Sequence, residues 1–212
     1  MLNDLVIVTR KHHSAAQAIL ERMKQDMKPK WIVTISGEVA TGKSTVSVVL
    51  ARLLKKEGFR AKILDLDDYY LIPPPERTEW RKAKGIEAVG KEEIHWELLK
   101  KNVIDFIFDK QSVLPCVDLI TDYVDQLTTS FAGIDVLIIN GLYSMLIDEA
   151  NLKVFIENTY EETLEAQKFS GKEAMDEFRL KILEKEHLEV MALKSKANFF
   201  LDFDTSMETY HL

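Results

Sequence analysis

Residues 35–45 read Ile-Ser-Gly-Glu-Val-Ala-Thr-Gly-Lys-Ser-Thr. The core of this stretch, Gly37-x-x-x-x-Gly42-Lys43-Ser44, has the spacing of a phosphate-binding loop. The glycines let the backbone curl so that successive N–H groups point inward at phosphate oxygens. Lys43 can reach β- and γ-phosphates, and the Ser44 hydroxyl can ligate Mg²⁺. The apolar run "WIVTIS" before it and the helical pattern "VSVVLARLLKK" after it supply the strand and helix that the motif requires. The helix N-terminus adds partial positive charge. Gly37, Glu38, Val39, Ala40, Thr41, Gly42, Lys43, Ser44 and Thr45 are therefore expected to wrap a nucleotide's phosphates. Lys43 also carries a catalytic expectation.

A second group of chemically able residues follows the apolar run "AKILDL": Asp67-Asp68-Tyr69-Tyr70. In open α/β sheets, ligands sit beyond the carboxyl ends of the strands, which places Asp67 near the mouth of the loop. A carboxylate there can orient or deprotonate an acceptor hydroxyl and help hold Mg²⁺. The competing reading is a cap or a solvated loop carboxylate. The chain has neither the Asn-Lys-x-Asp segment of a GTPase nor the Leu-Ser-Gly-Gly signature of a transport ATPase. A small-molecule kinase, or a nucleotide-binding protein without transfer activity, remains.

Several other side chains have two readings each. Arg77 and Arg81, in "PERTEWRKAKG", can bind an acceptor phosphate or carboxylate, or pair on the surface with Glu76 and Glu79. Lys172, after Ser170-Gly171, can reach an open site from a lid, whereas Arg179 reads as a solvated charge on a helix face. Asp118 can add charge to the site or shape a turn. His95 reads as a packing or capping residue, and His12 and His13 as surface residues. Cys116 is the single cysteine, so no internal disulfide exists, and a reducing compartment fits.

These residues need a scaffold. Apolar runs predict strands at 31–36, 60–66, 113–117, 134–139, 152–156 and 198–203. Helical periodicity predicts helices at 14–27, 43–57, 91–109, 160–169 and 173–193. Strands alternating with helices imply an α/β fold with a mostly parallel sheet. Residues 67–90 read as a long functional loop, stiffened by extended Pro73-Pro74-Pro75. Residues 1–30 form a helical extension packed on the core, and 31–212 the main domain. The net charge of −7 argues against broad nucleic-acid binding. No apolar stretch reaches the length of a membrane span, so the expectation is a cytoplasmic protein with no membrane partner. A homo-oligomer is left open.

The loop, the strand ending in Asp-Asp-Tyr-Tyr, "IDVLIINGLYSM" and "LKVFIENTYEETLEAQ" occur in an order and spacing that resemble the uridine kinase and phosphoribulokinase-like branch of P-loop kinases. The resemblance runs over roughly residues 31–203. It implies a three-layer P-loop NTPase of nucleoside/nucleotide-kinase type, with a parallel five-stranded core sheet and a short lid near 168–175. It implies ATP and Mg²⁺ as cofactors, Ser44 and Asp67 at the metal, and a small-molecule acceptor. Asp67 matches the catalytic base, and Tyr70 the aromatic beside the acceptor. The implied activity is transfer of the γ-phosphoryl group to a hydroxyl, a nucleoside first. Alternatives are a sugar phosphate or pantothenate-like acceptor, or a regulator that has lost transfer. The chain departs from the pattern where Asn140 stands at a usual Glu. Val117 and Asp122 stand where pyrimidine-reading Tyr and His are expected. The lid is poor in arginine. Arg77, Arg81 and Asp118 stand with Tyr70 as candidate substrate contacts, Asp118 as a charge that could compensate for Asn140.

Overall fold

The computed structural model describes residues 7–170 and 174–203. Strand β1 (Trp31–Ser36) is buried at every position. A strand covered on both faces is what a near-continuous apolar run encodes in a parallel sheet. β1 lies at the centre of five parallel strands, joined by β2 (Ala61–Asp65), β5 (Val136–Asn140), β6 (Leu152–Ile156) and β7 (Phe199–Leu201), in the order β2-β5-β1-β6-β7. Side chains alternate across the sheet, because successive residues of a strand point to opposite faces. Val33, Ile35, Val136 and Ile138 join one buried cluster with helices α1 (Arg10–Lys24) and α2 (Lys43–Lys56). Ile32, Leu137, Ile139 and Phe155 join a second with α4 (Trp96–Ile107) and α6 (Glu177–Leu193). Helices on both faces make the three layers expected from the sequence.

Strand register assembles the site. Asn140 at the end of β5 pairs with Ile35 of β1 on one side and Asp65 of β2 on the other. The carboxyl ends of these three strands therefore lie side by side, next to the loop that leaves β1.

Helix α1 buries Ala15, Ala16, Ile19, Leu20 and Met23 against the first cluster. It starts four residues before the expected 14, because Thr9 and His12 form a reciprocal cap: the Thr9 N–H donates to His12 Nδ1 at 3.1 Å. The 67–90 stretch differs from the expected open loop. Residues Leu66–Tyr69 make a 3-10 turn, and α3 (Pro74–Lys84) begins inside the proline run, with Pro73 as its cap. Proline at the first helical position removes only an N–H that has no intrahelical partner, so the triplet starts a helix instead of continuing as extended chain.

Two further differences concern the stretch between α3 and β5. Strand β3 (Gln111–Val117) lies outside the main sheet, in an antiparallel hairpin with β4 (Val124–Ser130). β4 was not expected: its residues are almost all exposed, so no apolar alternation marks it. The helix expected from 91 starts at Trp96, with His95 as its N-cap, accepting from the Leu98 N–H at 3.3 Å. A short helix, α5 (Leu164–Ser170), follows the segment after β6.

Candidate active site

The loop between β1 and α2 has the backbone its glycines imply. Gly37 and Gly42 have φ of 147° and 88°. A Cβ on Gly37 would stand 2.8 Å from the Ile156 carbonyl oxygen, so the close approach of loop and sheet excludes any side chain there. At Gly42 it would meet His12 Nε2 at 2.7 Å, which brings the start of α1 against the phosphate loop. His12, expected as a surface residue, is half-buried there. Thr41 Oγ1 and Lys43 Nζ both donate to the Glu38 carbonyl, at 2.9 and 2.5 Å. Burial lowers the Lys43 ammonium, while the carboxylates of Asp67 and then Asp65 act to raise it.

The Glu38 side chain anchors this loop to distant chain. Its carboxylate accepts from the Tyr160 N–H at 2.7 Å and lies 2.8 Å from His187 Nδ1 on α6. Neither Tyr160 nor His187 stood out in the sequence, because both meet the loop only through tertiary packing.

At the mouth of the loop, Ser44 Oγ lies 3.3 Å from Asp65 Oδ2 and 3.2 Å from Asn140 Oδ1. Asp65 caps the 3-10 turn by accepting from the Asp67 N–H at 3.1 Å, so Asp67 and Asp68 stand on a turn just past the end of β2. Burial, and then the charge of Asp67, push the Asp65 carboxyl up to about 7. Asp65 was missed in the sequence because it ends an apolar run. Its signal is the period-2 spacing from Asp67 at a strand's carboxyl end. Asp68 accepts from the Val117 N–H at 2.8 Å and so ties the turn to the hairpin.

Beyond this edge lies a cavity of about 490 Å³, whose lining includes Asp68, Tyr70, His95, Lys101, Asp125 and Gln126. Of the expected substrate contacts, Tyr70 alone lines it. The Tyr70 ring is covered by the Arg77 guanidinium, 3.7 Å from its centroid, while Arg77 Nε donates to the Ile72 carbonyl. Arg81 is buried: Nε and Nη2 donate to Glu93 at 2.7 and 2.8 Å, and Nη2 also reaches Glu186 at 3.2 Å. Its guanidinium is committed to structure and not offered to an acceptor anion. Asp118 accepts from the Ile120 N–H and belongs to the hairpin turn, outside the cavity lining. Arg179 is buried 3.8 Å from Glu186, which corrects its reading as a solvated charge. Lys172 lies outside the described residues.

The donors present fit a divalent cation only in part. Among the described residues, no cluster of three or more His, Cys, Asp or Glu could hold a metal unaided. Ser44, Asp65 and Asn140 nonetheless converge their oxygens at the loop mouth, the donor type that Mg²⁺ selects; it commonly completes its shell with substrate phosphates and water.

A glycine loop between the central strand of a parallel sheet and a helix, with carboxylates at the end of β2, one strand beyond the neighbouring β5, defines a P-loop nucleotide-binding fold. The chain belongs to the Phosphoribulokinase / Uridine kinase family, whose model matches residues 32–169. A uridine kinase of Ureaplasma parvum serovar 3 is 25% identical over 138 residues, covering 63% of this chain and 65% of that protein. The match thus spans slightly less than two thirds of that relative. Among solved structures, a provisionally assigned fructose transport system kinase from Silicibacter sp. TM1040 superposes with a TM-score of 0.66 at 17% identity, covering 92% of this chain and all of that one. A provisionally assigned uridine kinase from Bacillus stearothermophilus gives 0.60 at 18% identity, over 89% of this chain and 98% of the other. At these identities the likeness is one of fold. Among the described residues, no helix is long and apolar enough to cross a membrane.

Proposed function

We propose that the protein transfers the γ-phosphoryl group of ATP to a hydroxyl of an uncharged, hydroxyl-bearing metabolite, with a nucleoside as the leading acceptor. One observation carries this: Asp65, whose Oδ2 faces Ser44 of the phosphate loop, starts the 3-10 turn that carries Asp67, and Asp68, the next residue, lines the cavity. A single turn thus spans from the phosphate loop to a space large enough for a small molecule. The uridine kinase relative supports the nucleoside choice. The commitment of Arg77 and Arg81 to structural contacts favours an acceptor without a phosphate of its own over a sugar phosphate.

In this reading, the loop amides and Lys43 hold the triphosphate. Asp67 aligns the acceptor hydroxyl and takes its proton as the oxygen bonds to the γ-phosphorus and the bond to the β-phosphate oxygen breaks, releasing ADP. Mg²⁺, when bound through Ser44 and nearby carboxylate and phosphate oxygens, would neutralise charge on the phosphates. Packing of the Tyr160 segment and α6 on Glu38 anchors the phosphate loop.

The test is ADP release and product detection with nucleosides, free sugars, polyols, pantothenate and sugar phosphates, alongside binding of Mg-ATP. Phosphorylation of an uncharged acceptor supports the reading. Turnover confined to phosphorylated acceptors overturns the acceptor class. Mg-ATP binding with no product from any acceptor would instead favour a regulator, the reading that neutral Asn140 motivates.

A further inference from the structure

We propose that His187 of α6 is a positioning residue for the phosphate loop: acting through Glu38, it sets nucleotide affinity without touching the nucleotide. The inference rests on the kinase reading above and deepens it.

Three observations converge. First, Glu38 is the one acidic residue among 37–45, in a loop that has to hold a polyphosphate. A carboxylate free to face bound phosphates would repel them. Here it is 3% exposed and fully engaged elsewhere. Oε2 accepts from the Tyr160 N–H at 2.7 Å, and Oε1 lies 2.8 Å from His187 Nδ1, 149 residues further along the chain. An ionised carboxylate only accepts, so His187 Nδ1 carries the hydrogen and donates it. Second, the backbone carbonyl of the same residue accepts from Thr41 Oγ1 and Lys43 Nζ. Glu38 is therefore held by α6 at its carboxylate and holds the loop lysine at its carbonyl. Third, the His187 ring is itself oriented. It meets the Tyr160 ring edge to face, with centroids 5.6 Å apart. Glu186, which lines the same small gap, is paired with Arg81 and Arg179. Among the described residues, His187 is thus the basic side chain within ion-pair reach of the Glu38 carboxylate.

Removing the Nδ1–H leaves a buried carboxylate with one backbone donor. A buried charge short of partners is costly, and phosphate charge arriving on the loop raises that cost further. Loss of His187 therefore acts on nucleotide binding, and most on the nucleotide that brings most charge.

The test is calorimetric affinity for ATP, ADP and AMP, beside thermal unfolding of each variant. His187→Phe keeps a ring against Tyr160 and removes the donor. It should weaken ATP by roughly 10-fold, with a smaller loss for ADP and the smallest for AMP. His187→Asn, whose amide N–H can take the place of Nδ1–H, should recover most of the loss. Adding Glu38→Gln to His187→Phe should also recover it, because the partnerless charge is gone; such non-additivity is the mark of one residue acting through another. Unchanged ATP affinity in His187→Phe overturns the proposal. So does an equal loss for all three nucleotides with no recovery in the double variant, the result expected of a packing residue. Failure of the unsubstituted protein to bind any nucleotide overturns the kinase reading itself. If His187→Phe does not fold, the ¹⁵N resonances of His187 in the unsubstituted protein decide. A protonated Nδ1 whose signal moves on addition of ATP upholds the assignment, and an unprotonated or unresponsive Nδ1 ends it.

Discussion

The phosphate end of this molecule and the end proposed to take the acceptor are built on different principles. The phosphate end is made of contiguous backbone: Gly37 to Ser44 curls around its own Glu38 carbonyl, beside three neighbouring strand ends. The acceptor end is made of side chains brought from far apart. Arg81 of α3 meets Glu93 and, across 105 residues of chain, Glu186 of α6. Tyr69 donates to Asn102, Asn102 to Ser112, and Ser112 to Asp105, joining the 3-10 turn to α4 and β3. A site that recognises a constant group, phosphate, can be encoded in one short stretch. A pocket for a particular acceptor depends on long-range packing, and it can vary without disturbing the phosphate loop.

This contrast can be tested where it is sharpest. Asp67→Asn should reduce kcat by about 10²- to 10⁴-fold while sparing ATP affinity. A matching loss of nucleotide binding would show that Asp67 serves the phosphate end, and unchanged turnover would remove it from the base role.

Next comes the hub of the acceptor end. Arg81→Ala leaves Glu93 and Glu186 facing each other without their shared cation, a change of about 3–5 kcal/mol in stability. In the folded fraction it should raise KM for the acceptor far more than for ATP. Equal effects on both constants would mean that the two ends are one cooperative unit.

The smallest effect tests the hairpin support by pH. Burial acts to raise the Asp105 carboxyl, but hydrogen bonds from Lys101 and Ser112 outweigh it and hold the group below the usual carboxylate range. A depressed folded value stabilises the protein above the unfolded value of about 4 and ceases to do so as pH falls through the folded one. Lys101 is largely exposed, so solvent screens part of this contribution. Asp105→Asn should therefore cost about 1 kcal/mol near neutral pH. The gap in urea midpoint should shrink as pH drops below about 4. A gap that is constant down to pH 2 would assign the effect to shape and not to charge.

Much of the phosphate end was legible in the sequence. β1, Gly37 to Ser44, α2 and the position of Asp67 all follow from local pattern, because strand burial, glycine conformation and helix periodicity act over a few residues. Asp65 was present in the same stretch, but only the register with Asn140 and the approach of Ser44 show what it faces. On the acceptor side, β4 carries no apolar alternation and acquires strand form from its pairing with β3. Arg179 looks like a solvated helix charge, and Arg81 like an acceptor contact or a surface partner of Glu76 and Glu79, until Glu186 arrives from elsewhere in the chain to pair with them. By itself, the sequence determined the strands of the main sheet, the helices with clear apolar periodicity and the phosphate loop, since local sterics and hydrophobic periodicity decide those. The tertiary structure alone decided which charges are buried as partners and which remain for chemistry, because burial and electrostatic neutralisation depend on neighbours that are distant along the chain.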